Sequence, residues 1–267
     1  MLIALSVVVI LCIIYVFLIF PSGRKHSDIK LLKHKYIAHR GLHSVNPDIP
    51  ENTLAAFRSA AESGYIIEND IHLTKDGAVV VFHDDNLNRM CGVDKKIAEL
   101  TLAEIKECRI KGAEMQIPTL SEALKVINGK VPLLIEFKAN AKNYKRLCEA
   151  ANKVLKEYNG KYFVQSFHPF VLGWYKKHRP DILRGQLASA FYGEELYKQL
   201  AGNLLFNFIS RPDFVSYDHL HKNKLSRKLC TLMGAYPVGW TFKSQEEIDN
   251  SLQNFCTYIF ETFIPRT

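Results

Sequence analysis

Four short stretches of this chain hold residue types that could do chemistry: His39-Arg40-Gly41, Pro50-Glu51-Asn52-Thr53, Glu68-Asn69-Asp70 and His83-Asp84. The histidines and carboxylates sit at the ends of apolar runs, where a strand hands its side chains to a loop. Hydrolysis of a phosphodiester needs such a set. Arg40 offers a planar donor fork that neutralises the ester's charge. Carboxylate oxygens can hold a hard cation that spreads the charge building up on phosphorus. Two imidazoles can exchange protons with the entering and leaving oxygens near neutral pH.

Glu68 and Asp70 stand one residue apart on an apolar run, so on a strand both side chains emerge on one face and Asn69 points away. Two such carboxylates inside a core would repel each other and lose their solvation unless a cation joined them. Glu136 repeats the pattern after Leu133-Leu134-Ile135 and would supply a third oxygen ligand, with Lys138 on the same face two residues later. An all-oxygen set favours magnesium, calcium or manganese over zinc. His39 follows Tyr36-Ile37-Ala38 and His83 follows Val79-Val80-Val81-Phe82. Two histidines at strand ends near a carboxylate pair point to catalysis, whereas a single buried one would read as structural. Gly41 allows a sharp backbone turn beside a phosphate, and Asp84 could orient an imidazole or cap the next loop.

The elements that must position these groups alternate. Short β-rich runs are expected at 36–38, 66–71, 78–82, 131–137, 162–165, 182–187, 214–217, 236–242 and 257–260, with helical patterns between them at 53–63, 102–108, 121–127, 143–158 and 244–252. That order implies parallel strands joined by crossover helices. About eight parallel strands in one domain predict a closed (β/α)8 barrel, the ninth run being the second arm of a local hairpin turned by Lys75-Asp76-Gly77. Residues 85–116 are the least strand-like and predict a short helical insertion over one end of the barrel, and Thr119 or Ser121 would cap the helix that follows.

The chain has 267 residues, 48% hydrophobic and 23% charged, an ordinary globular composition with a formal net charge of +8. That charge suits an anionic membrane surface, an anionic substrate or nucleic acid. No basic stripe interleaved with aromatics appears, so nucleic acid is not expected as a partner. Residues 1–20 form an apolar run without a charged side chain, long enough to predict a transmembrane anchor. A cleaved signal would need a basic start and a small-residue cleavage site, which are missing here. A basic linker, 21–34, follows with Arg24, Lys25, Lys30 and Lys33, and places the domain 35–267 on the cytoplasmic side of the cell membrane. The five cysteines after the anchor have no paired spacing and read as reduced thiols.

Together these residues resemble the glycerophosphodiester phosphodiesterase family, in a membrane-anchored form. The matching elements are the four stretches above with Thr74-Lys75-Asp76-Gly77, Ile117-Pro118-Thr119-Leu120, Glu136-Phe137-Lys138, Gln165-Ser166-Phe167 and Trp240-Thr241, in family order over nearly all the chain after the anchor. The resemblance implies a TIM barrel with a metal-assisted phosphodiesterase site. His39 and His83 would be the acid/base pair, and Glu68, Asp70 and Glu136 would hold one divalent ion (magnesium, calcium or manganese). Arg40 and Lys138 would contact the phosphate, Glu51 would support the site near the metal or the glycerol, and Trp240 would wall the substrate pocket. Two departures stand out. Phe242-Lys243 follows Trp240-Thr241 where the family commonly has an asparagine, and Glu261-Thr262-Phe263-Ile264-Pro265 replaces the usual Thr-Asp or Thr-Asn before a proline. Both fall on the last barrel segments and are expected to shape recognition of the alcohol.

The expected activity is hydrolysis of a small-molecule glycerophosphodiester to glycerol 3-phosphate and an alcohol in phospholipid and glycerol metabolism, beside a membrane lipid surface. Two other readings stay open: a lysophospholipase D acting on membrane lysophospholipids, and a catalytically silent barrel that binds phospholipid head groups. Five intact residues, Glu68, Asp70, Glu136, His39 and His83, argue against the silent barrel.

Overall fold

The computed structural model describes residues 2–43, 45, 48–110 and 114–266. From the start of the chain come α1 (Leu2–Ile19), α2 (Ile29–Leu32), β1 (Tyr36–Ala38), α3 (Leu54–Glu62), β2 (Ile66–Leu73) and β3 (Val79–Val81). The insertion carries α4 (Asn88–Cys91), a 3-10 turn (Ile97–Glu99) and α5 (Leu102–Glu107). Then follow α6 (Leu120–Ile127), β4 (Leu133–Phe137), α7 (Tyr144–Leu155), β5 (Tyr162–Ser166), α8 (Pro169–His178), β6 (Arg184–Ala188), α9 (Leu196–Gly202) and α10 (Asn207–Ser210). The last elements are β7 (Phe214–Asp218), a 3-10 turn (His219–His221), α11 (Leu225–Leu232), β8 (Tyr236–Phe242), α12 (Gln245–Asp249) and β9 (Thr257–Phe260).

Eight of these strands are parallel, in the order β1-β9-β8-β7-β6-β5-β4-β2, and β1 pairs with β2 to close the barrel. The ninth, β3, lies antiparallel on the last part of β2, with Ile71 opposite Val81 and Leu73 opposite Val79, as the turn at Lys75-Asp76-Gly77 predicts. Helix starts follow their caps. The Thr53 hydroxyl accepts the Ala56 N–H and α3 buries Ala56, Phe57, Ala60 and Ala61. Of the two candidates for α6, Thr119 is the cap, in a reciprocal pair with Glu122. The insertion has a small core of its own, built from Val80, Phe82, Leu87, Ile97, Leu100, Ile105 and Ile117.

Inside the barrel, the two-residue period of each strand selects one inward face. Ile37, Ile66, Leu134, Phe163, Leu183, Phe214, Val238 and Ile259 pack as one apolar layer, and Leu32 of α2 is buried with them. Gly185 leaves room for the Phe214 ring, because a Cβ there would come within 2.0 Å of it. Two residues further along the same faces stand His39, Glu68, Glu136, Gln165, Ser216, Trp240 and Glu261. The apolar layer is thus the floor on which the polar groups rest.

Residues 21–34, expected as a basic linker, are docked onto the barrel. Arg24 forms a two-armed ion pair with Asp213, both arms 2.6 Å, and also donates to the carbonyls of Pro180 and Ile182. The transmembrane expectation for residues 1–20 is corrected: among the described residues no helix is long and apolar enough to cross a membrane. The 18 residues of α1 reach about 27 Å, against a hydrocarbon core of about 30 Å. Part of that length is taken by protein. Ile19 is buried, the Ile19 carbonyl accepts from Asn207, and Phe17 stacks on Phe208 under the Arg211 guanidinium. Earlier in α1, Leu5, Val8, Leu11 and Ile14 remain exposed.

Candidate active site

The carboxyl ends of the strands open into a cavity of about 470 Å³. One wall carries the charged groups of β1, β2 and β4, and the other carries Phe167, Leu187 and Trp240. On the charged side, Glu68, Asp70 and Glu136 each offer an oxygen, and the three oxygens lie within 4.8 Å of one another. Glu68 and Asp70 are completely buried, and Asp70 and Glu136 are direct neighbours in the β2–β4 register.

Such crowding is costly without a cation. Burial, with the charges of Asp70 and Glu136 adding to it, pushes the Glu68 carboxyl well above its ordinary range. Burial likewise raises Glu136. Burial would raise Asp70 too, but Lys138, His83 and Arg40 hold it far below its ordinary value. The Lys138 ammonium lies 3.0 Å from Asp70 and 2.5 Å from Glu136, whereas Glu68 Oε1 has no hydrogen-bond partner among the described residues. Three buried hard oxygen donors, one of them unpartnered, fit a divalent cation.

Around this cluster the backbone bends to aim donors. Arg40 adopts the left-handed conformation (φ 56°), and its N–H donates to Glu68 Oε2 at 2.9 Å. Gly41 follows with φ 82° so close to α3 that a Cβ would stand 2.8 Å from that of Ala56, which explains the glycine. The Arg40 side chain bonds Glu51 at 2.8 Å and lies 3.6 Å from Asp70. Glu51 does not join the acidic cluster. Its oxygens instead accept from Arg40 and from Arg89 of α4, so it orders two guanidinium groups at the rim.

Each histidine has a carboxylate behind it. His39 Nδ1 is 2.6 Å from Glu261 Oε2, and His83 Nδ1 is 2.6 Å from Asp84 Oδ1. Burial would raise Asp84, but hydrogen bonds from Arg89 and His83 hold it at about 2. Burial also lowers His83, which favours the neutral ring. The buried His72 Nε2 is 3.1 Å from the His83 carbonyl and steadies that strand end. Trp240 turns its Nε1–H to the Ser216 carbonyl at 3.1 Å and meets Phe167 edge to face. All nine residues singled out in the sequence are thus gathered in this region, eight of them lining the cavity and Asp70 buried behind it.

Four residues without an assigned role also belong here. Asn52 donates to Asp70 Oδ2 at 2.8 Å. Arg89 clamps Glu51 and Asp84 together. Glu261 backs His39, and Lys243 lies 3.3 Å from Glu261. The period of β9 signals Glu261, since it lies two residues beyond the inward Ile259. No local signal marks Arg89, which reaches the site from α4 of the insertion.

Known proteins resemble this chain in sequence and in fold. A family model described as the glycerophosphoryl diester phosphodiesterase family matches residues 39–251. The glycerophosphodiester phosphodiesterase of Caldanaerobacter subterraneus is 38% identical over 166 residues, 58% of this chain and 67% of that protein. The lysophospholipase D GDPD1 of Homo sapiens is 34% identical over 138 residues, 47% of this chain and only 42% of that protein. Among solved structures, an Oleispira antarctica phosphodiesterase in complex with its product sn-glycerol-3-phosphate superimposes with a TM-score of 0.69 at 25% identity, covering 85% of this chain and 92% of that one. The Thermotoga maritima glycerophosphodiester phosphodiesterase gives 0.66 at 24% identity, over 85% and 94%, and shares the fold.

Proposed function

The chain belongs to the glycerophosphoryl diester phosphodiesterase family, and from that premise we propose that it hydrolyses glycerophosphodiesters to glycerol 3-phosphate and an alcohol, using one divalent cation. The observation that carries this reading is the buried Glu68–Asp70–Glu136 cluster facing two carboxylate-backed histidines across one cavity. Magnesium, calcium or manganese would be held by those three residues and, when bound, would withdraw charge from the phosphoryl oxygens. Arg40 and Lys138 would bind and orient the phosphate, and the opposite wall of Phe167, Leu187 and Trp240 would take the organic substituent. With Nδ1 committed to a carboxylate, each imidazole presents Nε2 for proton exchange, one ring receiving a proton from the attacking hydroxyl and the other giving one to the departing alkoxide.

A second reading, lysophospholipase D activity on lipid still in the membrane, is supported by the exposed apolar side chains of α1 and by the likeness to the human protein. For either substrate we propose a membrane lipid surface as partner, with α1 set into the lipid interface of the cell membrane and the barrel on the cytoplasmic side, where Lys25, Lys30 and Lys33 would face anionic head groups.

The test is the full chain in mild detergent, assayed with and without chelator on glycerophosphocholine, glycerophosphoethanolamine and lysophosphatidylcholine. Turnover of the deacylated diesters that chelation abolishes and a divalent ion restores is expected. Full activity in excess chelator would remove the metal from the reading. Choline release from the lysolipid alone would favour the second reading.

A further inference from the structure

The two departures from the family pattern meet in space. Between β8 and β9 the register slips: Gly239 pairs with Tyr258, but the next pair is Phe242 with Phe260. One extra residue on β8 is a bulge, and a bulge re-aims the side chains beyond it. In an unbroken ladder Thr241 would stand opposite Phe260 and Phe242 opposite Glu261. The bulge instead advances β8 by one residue and brings Lys243 beside Glu261, where Nζ lies 3.3 Å from Oε1. The Glu261 N–H is tied to the Phe242 carbonyl at 3.0 Å, which holds this end of the ladder together.

Glu261 is largely buried while Lys243 is mostly exposed. A rim ion pair kept only for the surface would not place the acid inside. The inward end of Glu261 explains its position, since Oε2 is 2.6 Å from His39 Nδ1. A carboxylate at that distance accepts the Nδ1–H, so the neutral ring keeps its lone pair on Nε2, on the cavity side. Once Nε2 takes a proton, the imidazolium that forms faces a carboxylate already in place.

We propose that Glu261, itself held by Lys243 across the β8 bulge, is the positioning residue that sets the tautomer and orientation of His39. This extends the proposed diesterase mechanism and rests on it for its kinetic consequence, but not for its structural one. The arrangement parallels Asp84 behind His83, with a difference in origin: Asp84 is the chain neighbour of its histidine, whereas Glu261 comes from the far end of the chain, on the strand that closes the barrel beside β1.

The experiment uses the full chain labelled with 15N-histidine. Nitrogen shifts should show His39 protonated on Nδ1 in the wild type, and a wild-type ring carrying its proton on Nε2 would overturn the proposal without any variant. Glu261→Gln can turn an amide N–H toward Nδ1, so it should move His39 toward the other tautomer while leaving the His83 signals in place. It should lower kcat by roughly 10- to 10⁴-fold, the ceiling being the loss seen when a catalytic imidazole is held in the wrong tautomer, with KM nearly unaltered. Lys243→Met should keep the tautomer and give a smaller loss. An unchanged tautomer and kcat in a folded Glu261→Gln protein would refute the role. A wild type with no diesterase activity but with His39 protonated on Nδ1 would sink the functional reading and leave the positioning intact.

Discussion

Glu68→Gln separates a metal centre from a merely acidic cavity. The three clustered oxygens lie within 4.8 Å of one another, and burial together with Asp70 and Glu136 drives Glu68 upward. A folded-state value above the unfolded one contributes stability that is complete below the unfolded value and is lost as pH rises through the folded one. The Glu68 contribution to the stability of chelated wild-type protein should therefore fall as pH climbs from about 4.3, a slope read as the difference from a variant with no charge at 68. Glutamine at 68 has no charge to desolvate and should flatten that slope, giving a chelated variant that outlasts chelated wild type at neutral pH. A bound cation works in the opposite sense, because its ligands must be deprotonated and binding tightens as pH rises. At one hundred times its dissociation constant it stabilises the fold by about 2.7 kcal/mol. For a domain of this size that corresponds to a melting shift of about 5–11 °C. Calorimetry in chelator and in magnesium, calcium or manganese, with diester turnover measured alongside, reads both effects. Wild type should shift and turn over, and the variant should do neither. Equal cation-dependent shifts in the two proteins would show that Glu68 is not a ligand.

Other perturbations test the surrounding structure. His39→Ala and His83→Ala should each reduce kcat by roughly 10²–10⁴-fold with the melting curve retained. The variant lacking the leaving-group acid should recover on an aryl diester, and equal losses on good and poor leaving groups would contradict the division of roles. Leu32→Ala opens the barrel floor where α2 seals it and should destabilise the fold by about 2–5 kcal/mol in urea titration; a change under about 1 kcal/mol would show that α2 is not part of the core. Thr262 sits in the left-handed region at φ 70°, an unfavourable place for a β-branched residue. Thr262→Asn should raise stability by about 1 kcal/mol in the same titration, and a destabilised variant would mean that the hydroxyl is needed there.

Much of the site could be read directly from the chain because strand geometry is local. Once 66–71 is a strand, Glu68 and Asp70 must share one face of it, and the same period places Glu136 with Lys138 and His39 above Ile37. Turn and cap residues are local too, so the β2–β3 hairpin and the Thr53 and Thr119 helix starts follow from short motifs. The basic stretch 21–34 offered no such period, and its role as barrel floor depends on Leu32 finding the layer built by all eight parallel strands. The apolar run 1–20 is helical as its composition requires, yet how far it is free for lipid depends on Ile19 and Phe17 meeting α10. The partner of His39 lies 222 residues away, and a one-residue slip between β8 and β9 decides what stands beside Glu261. Hydrophobic pattern specifies which face a residue occupies, but the side chain it meets is set by register and closure, which exist only when distant segments pair.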